Sequence, residues 1–259
     1  MKKFLSSCLS LASIGAACLT FTTPLTLKAA TVLAVDFGGT NIQSGFQGWA
    51  FPDGAGPQSK TFMGLDTQYV PTGSILATVA GGANAADMSQ NTGSMNFRFR
   101  SDPSPVPPAF TYNDLFRDRL VTTAGGTGAG LFLELTGLVA GASYDIQVWG
   151  VDTNVLDTGI TGGAKPGNFQ LLDWTSGSAV ALGGYSTTSA ELPTSNDSFS
   201  VTGTVVADAN GRIVVQSVSN MDGSGIMNGF VLSTSAIPEP GRAGLLMGGL
   251  CCLILGRRR

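Results

Sequence analysis

The chain has 259 residues, a formal net charge of −3 and only 12% charged residues. It contains no histidine, and its four cysteines (Cys8, Cys18, Cys251 and Cys252) all lie near the two ends. This excludes Ser–His–Asp and Cys–His catalysis and the usual zinc sites, and it leaves the body without disulfides or thiolates.

Residues 1–30 have the three parts of a secretory signal peptide. Lys2 and Lys3 form a cationic start, residues 4–21 an uncharged run, and Pro24 a break. Ala29 and Ala30 then offer the small side chains that a signal peptidase requires. The expectation is an exported protein.

Residues 31–235 are expected to form one β-sandwich ectodomain, long enough to bury a single core. This body carries seven Lys and Arg against sixteen Asp and Glu, a net of −9. Such a surface repels phosphate backbones, so no nucleic-acid partner is expected. Side chains alternate along residues 31–37, 131–135, 144–151, 168–174 and 199–207. Leu131, Leu133 and Leu135 share one face, with Phe132 and Glu134 on the other. Tyr144, Ile146 and Val148 likewise oppose Asp145, Gln147 and Trp149. Gly81 to Gly93 reads as a long loop of small residues, and residues 102–108, with four prolines, as an extended connector. Residues 112–120 read as one helical turn running into a strand. Asn210-Gly211 predicts a type I′ hairpin turn between two strands, with Ile213, Val215 and Ser217 on the return. Period two with these turns predicts an all-β fold, an antiparallel sandwich, and the resemblance given below implies that it is jelly-roll-like.

Residues 236–259 read as an address. Pro238, Glu239 and Pro240 precede an uncharged apolar run over residues 243–256, and Arg257, Arg258 and Arg259 end the chain. As a helix that run reaches only ~21 Å, against ~30 Å of hydrocarbon. It would serve as a transient membrane helix rather than a lasting anchor. Three arginines resist crossing, which keeps the terminus inside and the body outside.

This tail resembles the PEP-CTERM sorting signal of Gram-negative bacteria. The resemblance implies an exosortase partner, passage through the inner membrane, and delivery to the envelope, outer surface or extracellular matrix of a biofilm. Two resemblances concern the body. Leu138 and Tyr144 have the spacing of a tyrosine corner. Val35-Asp36-Phe37-Gly38, Asp114-Leu115-Phe116-Arg117-Asp118 and Ile226-Met227-Asn228-Gly229-Phe230 are similar to segments of galactose-binding-like jelly rolls. That second likeness implies the fold and permits binding of extracellular polysaccharide.

Sugar binding needs an exposed aromatic face flanked by polar groups. Asp145, Gln147 and Trp149, at period two on one strand, are the best candidate set, although a tryptophan there could equally pack under a loop. Trp49 and Trp174 are lesser candidates. No cofactor is expected. Calcium is the metal that an oxygen-only body would suit, with Asp152, Asn154 and Asp157 as weak candidates and Asp222 with Asn228 as a looser pair. Turn capping accounts for such residues equally well. A glycosidase needs two carboxylates across a cleft, and Glu134 and Glu191 are the only glutamates in the body. The sequence places no such pair together, so a non-catalytic protein is expected. It is read as structural or weakly glycan-binding; the alternatives are a carbohydrate-binding module using the Trp149 face and a polysaccharide-active enzyme.

Overall fold

A computed structural model describes residues 29–39, 41–85, 87–100, 106–126, 128–153, 164–188 and 191–235. Ala29–Ser235 forms one compact unit. Its strands are β1 (Thr31–Asp36), β2 (Gln47–Gly48), β3 (Gln58–Met63), β4 (Ser74–Gly82) and β5 (Met95–Phe99). After a helical turn, α1 (Asn113–Arg117), come β6 (Asp118–Thr122), β7 (Gly130–Thr136), β8 (Ser143–Trp149), β9 (Gly167–Asp173) and β10 (Val180–Thr187). The last four are β11 (Ser200–Val206), β12 (Ile213–Ser219), β13 (Gly225–Met227) and β14 (Gly229–Thr234).

The fold is all-β, and every strand pair is antiparallel except the two-residue pairing of β1 with β2. One sheet runs β11-β8-β14-β1-β2, a second β10-β9-β12-β7-β4-β3, and a third, smaller one β13-β6-β5. The two large sheets face each other across the main core. Val35, Tyr144, Ile146, Val148 and Phe230 come from the first sheet, and Val79, Leu131, Leu133, Leu135 and Val215 from the second. These are the alternate positions the pattern marks as apolar. Because period two sends neighbours to opposite faces, Phe132 drops into a separate cluster with Val214 and Trp174.

Tyr144 locks the start of β8 as its spacing predicts. Its hydroxyl accepts from the Val139 amide at 3.0 Å and donates to the Tyr69 carbonyl at 2.9 Å. The predicted helical turn and strand are α1 and β6.

The expected Asn210-Gly211 hairpin is corrected by the pairing. β11 bonds to β8 in one sheet, whereas β12 bonds to β7 and β9 in the other. The turn therefore carries the chain between sheets. Type I′ needs positive φ at both central residues. Among the described residues only Gly211 of that pair has it, at +69°. Gly211 also lies against Leu138, where a Cβ would come within 2.1 Å of the Leu138 carbonyl oxygen. Turn chemistry reported the bend but not which strands it joins.

Candidate functional site

The predicted sugar-binding face is not available. Trp149 ends β8 on the predicted side of its strand, but it is only 1% exposed. Phe46 and Tyr112 pack edge-on against its ring at 6.2 and 5.7 Å. Its indole N–H donates to the Asn196 carbonyl at 2.7 Å. The segment that leads into α1 covers this side of the sheet, so Trp149 anchors a second core instead of presenting a ring. Asp145 and Gln147 are half-buried and engaged along β11. Asp145 accepts from Thr204 at 2.6 Å, and Gln147 donates to Ser200 at 2.8 Å and Asp197 at 3.1 Å. Trp49 is also buried, against Phe37 and Phe62.

The predicted calcium loop is corrected at Asp152; Asn154 and Asp157 lie outside the described residues. Asp152 is fully buried and meets three cations, Arg119 Nη1 at 2.8 Å, Arg100 Nε at 2.9 Å and Lys165 Nζ at 2.9 Å. A carboxylate surrounded in this way has no charge left for a metal ion. Asp222 belongs to the same network through Arg119 Nη2 at 2.6 Å. Burial works to raise the Asp222 carboxyl, but the hydrogen bond and charge of Arg119, aided by Lys165 and Arg100, hold it below its ordinary value. Asn228 is spent as a structural link: its side chain accepts from the Val151 amide at 2.7 Å and donates to the Asp118 carbonyl at 3.0 Å. Glu134 pairs with Arg212 at 2.7 Å. Glu191 is exposed, and its backbone bonds to Ala164. Pro238, Glu239, Pro240, Arg257, Arg258 and Arg259 lie outside the described residues. Among the described residues no helix is long and apolar enough to cross a membrane.

The open surface of the second sheet carries a feature that sequence reasoning underrated. After β4 the loop from Gly82 to Gly93 folds back on itself. The Asn91 side chain accepts from the Asn84 amide at 2.8 Å and donates to the Asn84 carbonyl at 2.6 Å. Gly82 is required there, because a Cβ would come within 2.1 Å of the Asn91 oxygen. Asp87 caps the 3-10 turn Met88–Gln90 through the Ser89 amide at 3.0 Å. The result is a cleft of about 690 Å³ between this loop, Ala124 and Trp174. Trp174 is half-buried, its ring 6.4 Å from Phe132, and its N–H donates to Gln216 at 2.8 Å. Gln90 and Thr92 are exposed on the opposite wall, while Gly82, Gly93 and Gly177 keep the lining low. The small-residue run was legible as a loop. Its Asn and Asp content was the signal that it would be an ordered wall.

Two buried carboxyls form the other electrostatic feature. Asp36 ends β1 and Asp118 opens β6; they are 0% and 1% exposed. Burial pushes Asp36 from 3.8 to about 7, against the Gln43 amide bond, with the charges of Asp118 and Asp114 adding to the rise. Burial likewise pushes Asp118 to about 6, with Arg117 opposing and Asp114 adding. A carboxyl whose value rises on folding stabilises the fold while protonated. That contribution is complete below about 4 and disappears as pH climbs through about 6 to 7. In buffer stripped of divalent cations, the protein should be more stable at pH 5 than at pH 7.5. With ~1.4 kcal/mol per pK unit, the expected difference is on the order of a few kcal/mol. Urea midpoints across this range measure it. Asp36→Asn should flatten the profile, and a stability that rises from pH 5 to 7.5 would refute the assignment.

No protein-family model and no curated protein matches the chain. Among solved structures, it matches the enzymatically active domain of bacteriophage CBA120 tailspike protein 4 at 14% identity. The match covers 53% of this chain and 18% of that one, with a TM-score of 0.18. The chain therefore spans about a fifth of that tailspike domain's length, and the likeness carries no argument about fold or function.

Proposed function

We propose that this is an exported, non-catalytic surface or matrix protein whose sandwich binds glycan weakly in the Trp174 cleft. The sandwich is read as a galactose-binding-like jelly roll, supported by the first and last strands, β1 and β14, pairing inside one sheet. Export rests on the charge and hydropathy of the two ends, and sorting on the Pro238 to Arg259 pattern, with an exosortase as the processing enzyme.

One observation carries the binding role, the pairing of a half-exposed indole with polar side chains across a glycine-lined cleft. Pyranoses stack their C–H face on such a ring and hydrogen-bond at their edges. Gln90 and Thr92 supply exposed polar groups in the same lining. The cleft is open and lacks a carboxylate pair, so the arrangement suits holding a sugar rather than cutting one.

The test is a glycan array followed by titration of the best neutral and acidic oligosaccharides. Trp174→Ala should lower affinity about tenfold, the equivalent of ~1.4 kcal/mol of stacking. Trp174→Phe should keep part of it, and the thermal midpoint of each variant checks the packing on Phe132. Wild-type protein that binds no glycan, or Trp174→Ala that binds as well as wild type, would defeat the reading.

A further inference from the structure

A second ligand position lies away from the cleft, where β1 ends and β6 begins. Among the described residues, four buried side-chain oxygens on these segments have no hydrogen-bond partner, namely Asp36 Oδ1, Gln43 Oε1 and both Asp118 oxygens, and Asn113 Oδ1 at the start of α1 has none either. All five are acceptors, and no donor nitrogen shares their condition at this place. The remaining unpartnered atoms belong to Arg119 and Asp152, and that network is already joined by ion pairs at 2.8 and 2.9 Å. The deficit around Asp36 and Asp118 is one-sided, and only positive charge or added donors can relieve it.

Several contacts tie these groups together. Asp36 Oδ2 accepts from the Gln43 amide at 2.7 Å, so the loop after β1 curls around the carboxylate. Gly38 lies on Asp118, since a Cβ on Gly38 would sit 2.4 Å from Asp118 Oδ2. The Asp118 carboxylate is thus pressed against the backbone just two residues beyond Asp36. Asn113 and Asp114 begin the helical turn that delivers Asp118, and the charge of Asp114 acts on both buried carboxyls. The charge of Arg117 opposes the rise at Asp118 only in part. Asp36 is 0%, Asp118 1% and Gln43 7% exposed. Leaving two carboxylates and an amide oxygen uncompensated at that depth would cost far more than a surface cluster does.

We propose that Asp36 and Asp118, with Gln43, bind one divalent cation, calcium by the chemistry of the donors. The set is entirely oxygen, which selects a hard cation. It is dry and mixes carboxylate with amide oxygens. Calcium accepts such a set in flexible geometry with ~6–8 ligands, whereas magnesium demands a stricter octahedron and keeps its waters. Among the described residues no three His, Cys, Asp or Glu side chains gather around one point. The coordination sphere must therefore be completed by amide and backbone oxygens or water, as calcium allows. An ion here would clamp the loop after β1 to the start of β6, joining the first large sheet to the small one.

Water could donate to two of the five oxygens but leaves both charges in place. Protonation of the two carboxyls is the real competitor, and the experiment separates the two. Purified protein is stripped with chelator, then titrated with calcium or magnesium while the thermal midpoint and bound metal are measured. One calcium per chain, a raised midpoint, and a weaker response to magnesium are expected. Loss of even an outer partner costs a metal site about 10–100-fold in affinity, so Asp118→Asn should reduce calcium binding at least that much. Should Asp118→Asn fail to fold, terbium luminescence on wild type replaces it. Trp49, whose amide bonds to the Asp36 carbonyl at 2.8 Å, should sensitise the emission, and calcium should quench it by competition. A stripped protein that binds no calcium, an Asp118→Asn chain that binds it as wild type does, or terbium that gives no competed signal would overturn the proposal in favour of protons. Glycan binding at Trp174 involves other residues, so either idea can fail alone.

Discussion

Asp152→Asn will destabilise the sandwich by about 3–5 kcal/mol, the usual cost of removing one member of a buried ion pair. The wild-type carboxylate is fully buried and is shared by Arg100, Arg119 and Lys165. Asparagine keeps the shape but not the charge. Arg119, itself 1% exposed, would then rely on Asp222 alone while two further cations press on it. At roughly 2–4 °C per kcal/mol for a body of this size, the thermal midpoint should fall by about 10 °C. Salt should rescue little of this, because screening scarcely reaches buried charges. The pair also adds little over a well-packed apolar substitute. A double variant, Asp152→Leu with Arg119→Met, should therefore recover part of the loss, because the remaining partners Arg100 and Lys165 keep some access to water. Calorimetry of the three chains decides the matter; a single variant within about 2 °C of wild type would show that the network is not structural.

The second large effect concerns the tail, and it should be all-or-none. Intact-mass analysis of protein from cells that possess the exosortase should find a carboxyl end near residues 235–240. Cells lacking the enzyme should retain Arg257, Arg258 and Arg259. The physical reason lies in the order of parts. Proline has no amide donor and favours extended backbone, so Pro238 and Pro240 would suit a protease cleft. On this proposal the short apolar run would hold that stretch at the membrane surface, and the terminal guanidinium groups would resist crossing. Full-length protein from both strains would remove sorting from the proposed function and leave the cleft untouched.

The elements were legible wherever the two faces of a strand carried different residue sets. Leu131, Leu133 and Leu135 against Phe132 and Glu134 reported β7 correctly, because alternation is a local property of the chain. The strands around the first half were harder. β4 runs into Gly81 and Gly82, which read as loop, because glycine carries no side chain to mark a face. There Gly81 lies against Thr122 and Gly82 against Asn91, and any side chain would collide. The candidate sites were less legible still. Trp149 and Trp174 look alike in sequence, each at the end of an alternating run with polar neighbours. One is covered by Phe46 and Tyr112, and the other is left at an open edge. Asp152 reads as a turn residue or metal ligand until Arg100, Arg119 and Lys165 converge on it.

By itself, then, the sequence determined that the body is built of alternating β-strands, and it excluded histidine and thiol chemistry. Composition and period two need no knowledge of distant contacts. Only the tertiary structure decided which tryptophan is buried, that the Asn210-Gly211 turn crosses between sheets, and that Asp36 and Asp118 meet in the dark with too few donors. Each of these depends on segments far apart in the chain that become neighbours when the sheets pack, and burial is a property of the neighbours, not of the residue.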